Sequence, residues 1–220
     1  MIKKGLLYLL FISVFAACNH TENINLSPLQ KLEEGNHRFA SGKPMHPDET
    51  LERIRELKKG QHPFATVVSC SDSRVPAELV FDQGLGDIFS IRTAGNVIGD
   101  YELGSIEYAV EHLDCKLIVI MGHKSCGAIK AFIDSKGHYD HEDHIKNIIN
   151  YIESENEEKN LSSIDKLSAD KAIDANIAHG VAFLKTAKPI LKERFDHNKI
   201  TIIGALYDIE SGKVTFKNIQ

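Results

Sequence analysis

No stretch of this sequence is long enough and apolar enough to cross a bilayer as a helix, which takes roughly 20 residues. The longest apolar run, Gly5 to Phe15, falls short, and nothing later approaches it, so no transmembrane helix is expected in the mature chain. A basic stripe is also missing. The net charge is -5 with acidic and basic residues interspersed, so no nucleic acid partner is expected. Gly84, Gly86 and Gly122 fall near predicted strand ends, but neither the dinucleotide fingerprint nor the Walker spacing is completed, and nucleotide binding is unsupported. There is no internal repeat and no low-complexity tract. Cysteine is scarce, at 4 residues, which bears on what the thiols do.

The first seventeen residues have the layout of an export signal: Lys3 and Lys4, the apolar run, then small Ala16 and Ala17. Phe15-Ala16-Ala17-Cys18 resembles the bacterial lipobox, with Phe a less usual first residue; there the cysteine is lipidated and becomes the new N-terminus. The expectation is a signal peptide over 1–17, a polar tether over 18–26 and one domain over 27–220, anchored by lipid on Cys18 in a bacterial cell envelope, on the periplasmic side. Roughly 200 residues suffice for one domain with a substantial core. Lipidation would leave Cys70, Cys115 and Cys126, an odd number in an oxidising compartment, which speaks against a closed disulfide framework. At least one thiol must do something else.

Ser27 can cap a helix from Pro28 to about Ala40, and a second helical segment runs from Asp48 to Lys59 and ends at Gly60. These two form an N-terminal helical arm. Continuous apolar runs at Phe64–Val68, Ile88–Ile91, Leu117–Met121 and Ile200–Ile203 have the pattern of strands buried on both faces. Helical patterns separate them: Leu103 to Leu113, Ala128 to Ile133, and Ala169 to Phe195 with a kink or break at Pro189. The alternation predicts an α/β fold with a mainly parallel central sheet and flanking helices. Val214-Thr215-Phe216, after the Ser211-Gly212 turn, is expected as an antiparallel edge strand. The polar segment from His138 to Ser163 reads as a surface helix with loops, and its His138, His141 and His144 as a solvated face rather than a metal patch.

In open α/β sheets ligands sit beyond the carboxyl ends of the strands. The first strand runs into Cys70-Ser71-Asp72-Ser73-Arg74, and the third into Gly122-His123-Lys124-Ser125-Cys126-Gly127. If the two strands are neighbours, Cys70, His123 and Cys126 converge. Two thiolates and an imidazole suit Zn2+, and three protein donors leave a fourth tetrahedral position open, the mark of a catalytic site. A helix beginning at His123-x-x-Cys126 would turn both side chains the same way and favour the Cys126 thiolate. Because two thiolates cancel the charge of the ion, it would acidify water less than an all-histidine site would. A carboxylate at Asp72, held ionised by Arg74, can supply the missing assistance. Cys115 has no metal-ligand partner at useful spacing and is expected to be structural.

Cys70-Ser71-Asp72-Ser73-Arg74 and Gly122-His123-x-x-Cys126-Gly127-Ala128 resemble the two signature motifs of β-class carbonic anhydrases. Asn36-His37-Arg38-Phe39, Arg92-Thr93-Ala94-Gly95-Asn96, Gly104 to Val110 and Tyr207-Asp208-Ile209 extend the resemblance over most of the mature chain. It implies reversible hydration of carbon dioxide to bicarbonate and a proton, with Cys70, His123 and Cys126 as zinc ligands and Asp72 with Arg74 as a catalytic dyad. Gln61, nine residues before Cys70, matches a bicarbonate-holding glutamine of the plant-like subgroup. Phe89 and Tyr108 match residues lining that subgroup's substrate pocket, and Gly127 offers a backbone amide beside the metal. His62, next to Gln61, is a candidate proton shuttle. Another subgroup binds regulatory bicarbonate through a tryptophan three residues before the first cysteine; here Val67 stands there and the chain has no Trp, so no such site and an open zinc are expected. The family also implies a homodimer or homotetramer in which the arm wraps a partner and Gln61 reaches across the interface. Two alternatives share these residues: a hydrolase of carbonyl sulfide or carbon disulfide on the same fold, and a noncatalytic zinc or thiol module of the envelope.

Overall fold

The computed structural model describes residues 26–135, 139–140, 142–159 and 168–219. Cys18, the segment before it, His138 and His141 lie outside the described residues, and so does most of the tether. Strands β1 (Ala65–Cys70), β2 (Ile88–Thr93), β3 (Leu117–His123), β4 (Thr201–Tyr207) and β5 (Val214–Lys217) form one sheet in the order β2-β1-β3-β4-β5. All neighbours are parallel except β5, which runs antiparallel to β4. Every residue of β1 and β3 is buried, as the unbroken apolar runs require. Side chains that alternate along a strand face opposite sides. Val67, Val119 and Met121 therefore join Leu32, Val80 and Phe81 on one face, while Val68, Ile118 and Ile120 join Ile106, Val110, Val181 and Leu191 on the other.

Helix α1 (Pro28–Ala40) starts as expected from Ser27, whose hydroxyl accepts from the Gln30 amide while the Gln30 side chain accepts from the Ser27 amide. It is followed by α2 (Leu51–Leu57) and a four-residue α3 (Ala77–Val80) that carries too little periodicity to be read from sequence. Then come α4 (Asp100–His112), α5 (Gly127–Ser135), α6 (Ile145–Ser154) and α7 (Asn156–Lys159). The expected long helix is two, α8 (Ala169–Thr186) and α9 (Ile190–Asp196), broken before Pro189 because proline disfavours helical conformation in the residue ahead of it. α6 is the surface helix expected within 138–163, with one face seated inward: Ile149 and Ile152 are buried against α5 and α8. His144 is exposed just before α6. α8 lies close over β3 and β4 because Gly122 and Gly204 leave room for Ile177, whose side chain would stand 2.7 Å from a Cβ at either position.

Candidate active site

Cys70 closes β1 and His123 closes β3. The register sets Ser69 opposite Met121, so the two strand ends lie side by side at the carboxyl edge of the sheet. Ser125, in the left-handed region at φ 58°, turns the chain, and α5 begins directly after Cys126. The sulfurs of Cys70 and Cys126 and a ring nitrogen of His123 lie within 4.8 Å of one another. All three residues are buried. His123 Nδ1 lies 2.9 Å from its neighbour's carbonyl, Lys124 O; an N–H there donates to that oxygen and leaves the lone pair on Nε2. Nε2 is buried and has no hydrogen-bonding partner among the described residues. A buried, unpartnered acceptor beside two thiols is what zinc would satisfy, and the three donors fit it with one tetrahedral position to spare.

The two thiols are not equivalent. The Cys70 thiol is pulled below its ordinary value, chiefly by the hydrogen bond from Cys126; burial opposes this, and the amides of Asp72 and Gly95 reinforce it. Cys126 is pushed up by the adjacent Cys70 sulfur and by burial, although the amides of Ala128 and Ile129 at the start of α5 favour its thiolate. The expected helix effect on Cys126 is therefore present, opposed by the neighbouring sulfur and by burial. Among the described residues Cys70, Cys115 and Cys126 are free thiols. Cys115 is buried, accepts from the Thr66 hydroxyl, and is pushed up by burial, in keeping with a structural role.

Asp72 and Arg74 meet as expected. Arg74 donates from Nε to Oδ1 at 2.9 Å and from Nη2 to Oδ2 at 2.7 Å, and its backbone N–H reaches Oδ1 at 2.9 Å. These bonds hold the Asp72 carboxyl well below the usual carboxylate range against the opposing effect of burial. Oδ2 stands 3.9 Å from His123 Nε2. Arg74 Nη2 also reaches the Ser125 carbonyl at 3.4 Å, linking the two signature loops. Gly127 opens α5 next to Cys126, and a Cβ there would meet open space.

Gln61, Phe89 and Tyr108 are not brought to this cluster. Gln61 precedes β1 and is exposed at the amino edge of the sheet. Phe89 pairs with Thr66, four residues before Cys70, which is roughly 13 Å along the strand. The Tyr108 ring lies 6.3 Å from Phe89 and is half exposed. The three residues lie toward the amino edge, and His62 is exposed there too. The expected place of Phe89 and Tyr108 in the pocket is thus corrected for the single chain, because the length of β1 separates them from Cys70; Gln61, expected to act across an interface, also lies away from its own chain's cluster.

Arg92 and Gly95 belong to the site without having been assigned a role from sequence. Arg92 donates from Nε to the Cys70 carbonyl at 3.2 Å and from Nη2 to the Asp72 carbonyl at 2.7 Å, so it shapes the loop that carries the dyad. The Gly95 N–H points at Cys70 Sγ, 3.3 Å away. The signal was the matching stretch Arg92 to Asn96, which names residues but not their contacts.

Residues 65–214 match the family described as carbonic anhydrase. Carbonic anhydrase 2 of Mycobacterium tuberculosis is 35% identical over 196 residues, covering 85% of this chain and 90% of its own. A carbonic anhydrase of Mycolicibacterium smegmatis is 37% identical over 191 residues with the same coverage. Among solved structures, the β-carbonic anhydrase CafA of Aspergillus fumigatus superposes with a TM-score of 0.66 at 28% identity, covering 87% of this chain and 89% of that one.

Proposed function

The chain belongs to the β-class carbonic anhydrases, enzymes of the reversible hydration of carbon dioxide to bicarbonate and a proton, and from that premise we propose that its reaction runs at zinc held by Cys70, His123 and Cys126. The observation that carries this is the unpartnered Nε2 of buried His123, set among two thiols and 3.9 Å from the Asp72 carboxylate. Zinc, when bound, supplies Lewis acidity that makes water a nucleophile near neutral pH. The Asp72 carboxylate accepts a hydrogen bond from the attacking oxygen and turns its lone pair toward the carbon. Arg74 engages both oxygens of Asp72 and so keeps the carboxylate from taking the fourth position itself, which supports an open site. The Gly127 amide, next to Cys126 at the start of α5, is assigned to steady an oxygen of the product.

The finer reading is a plant-like enzyme that is one unit over 27–220 and a homodimer or a pair of homodimers. Gln61, Phe89 and Tyr108 then serve the site of a second copy, since they lie too far along the sheet to serve their own. The N-terminal layout further supports a signal peptide over 1–17, a lipid on Cys18 and a tether over 18–26, with the enzyme on the periplasmic side of an envelope membrane. No helix among the described residues is long and apolar enough to cross a membrane.

The test is carbon dioxide hydration by the purified protein with bound zinc counted, beside Cys70→Ser and Asp72→Asn. Cys70→Ser is expected to lose zinc and activity together. Asp72→Asn is expected to keep zinc and lose about a hundredfold or more in kcat, the scale of a lost transition-state contact. Full activity in both variants would overturn the assignment. For the anchor, Cys18→Ser is expected to move the protein out of the membrane fraction; unchanged partition would contradict lipidation.

A further inference from the structure

The inward face of α8 is apolar except at one residue. Asn176 is 3% exposed, between the buried Ile173 and Ile177. Asparagine is a weak helix former, and burying its amide is unfavourable unless the amide is bonded. Its Nδ2 donates to the Gly95 carbonyl at 2.8 Å, within the buried interior. Gly95 in turn presents its N–H to Cys70 Sγ at 3.3 Å. Gly95 has φ 70°, and a Cβ on it would come within 2.9 Å of the Ala128 Cβ, in the first turn of α5. One glycine therefore touches the end of β1, the start of α5 and, through Asn176, the middle of α8.

We propose that Asn176 is a positioning residue for the metal centre. It pins the peptide unit after Gly95, while the unit before Gly95 donates to Cys70, so the amide aimed at the sulfur keeps its direction through a bond made on the adjoining peptide unit of the same residue. Hydrogen bonds that orient metal ligands from behind set affinity and rate together. An apolar residue would fill the same space and leave the Gly95 carbonyl without its donor. The inference rests on the reading of Cys70, His123 and Cys126 as zinc ligands.

The experiment compares wild type with Asn176→Leu, which keeps the volume and loses the donor, Asn176→Ser, which is too short to reach, and Val181→Ala, a packing loss on the same helix. Two quantities are read apart from turnover: the rate of zinc release to a chelator, and the thiolate-to-metal charge-transfer band after cobalt substitution. Both Asn176 variants are expected to release zinc about tenfold or more faster and to shift the band, whereas Val181→Ala does neither, even at an equal loss of thermal stability. If Asn176→Leu fails to fold, Asn176→Ser carries the comparison. Release rates and spectra that follow thermal stability alone across all the variants would overturn the role. Wild type that binds no zinc, or that binds it as well after Cys70→Ser, would instead overturn the metal reading.

Discussion

Arg74 reaches both oxygens of Asp72 from one planar guanidinium, with its own backbone N–H adding a third bond. Lysine would keep the charge but could not reproduce the two-pronged geometry. Arg74→Lys is therefore expected to bind zinc fully and to lose about tenfold or more in kcat, on the scale of one misplaced charge-assisted bond. Unchanged kcat with full zinc would show that charge alone suffices. At this scale the sequence was informative where chemistry and chain position coincide. Cys70, Asp72 and Arg74 share one loop, and His123 and Cys126 share another, so one correct guess about strand neighbours assembles them. Arg92 and Gly95 were not legible as site residues because their contacts are a side chain to two carbonyls and a backbone N–H to a sulfur. No residue type announces either arrangement.

β1 and β3 were legible because strands buried on both faces must be apolar throughout, and α1 because its serine cap and proline start are local signals. In α6 the helical spacing of Ile145, Ile148, Ile149 and Ile152 marks one face of a helix, seated inward at Ile149 and Ile152, whose other residues are polar. What holds α1 against the body was not legible at all. Asp82, just beyond α3, accepts from Arg38 of α1 and from the amides of Met45 and His46. Its side chain is 1% exposed. Burial pushes its carboxyl up, but the Met45 amide, the Arg38 guanidinium and the His46 amide together bring it below its ordinary value. A depressed carboxylate stabilises the fold fully above its unfolded value, near 4, and stops doing so as pH falls through its folded value. Asp82→Asn also suits the left-handed backbone at φ 46°, so it removes charge with little added strain. The variant is expected to lose about 1–3 kcal/mol near pH 7 and to have a shallower loss of stability than wild type between pH 5 and 3. Parallel stability curves from urea unfolding would contradict this.

Across the whole molecule the metal-site residues and the residues proposed to hold substrate occupy opposite ends of the sheet. Cys70, Asp72, Arg74, His123 and Cys126 sit at the carboxyl edge; Gln61, Phe89 and Tyr108 sit toward the amino edge, around the exposed side of β2. The family match over 65–214 takes in Phe89 and Tyr108 together with the metal-site residues, yet β1 keeps them apart. For Phe89 and Tyr108 the sequence concealed this, because neither their spacing nor their type tells which end of the sheet they occupy. A second copy resolves the separation if each amino edge meets the other's carboxyl edge. Gln61→Ala is expected to retain about a tenth of the activity, as for one lost hydrogen bond to product, and Cys70→Ser almost none. Dimers reassembled from an equal mixture are half mixed, and each mixed dimer has one intact site, so the most direct measurement is the carbon dioxide hydration rate of that mixture. It is expected at about a quarter of the wild-type rate. A rate no greater than the mean of the two parent variants would contradict a site shared between copies.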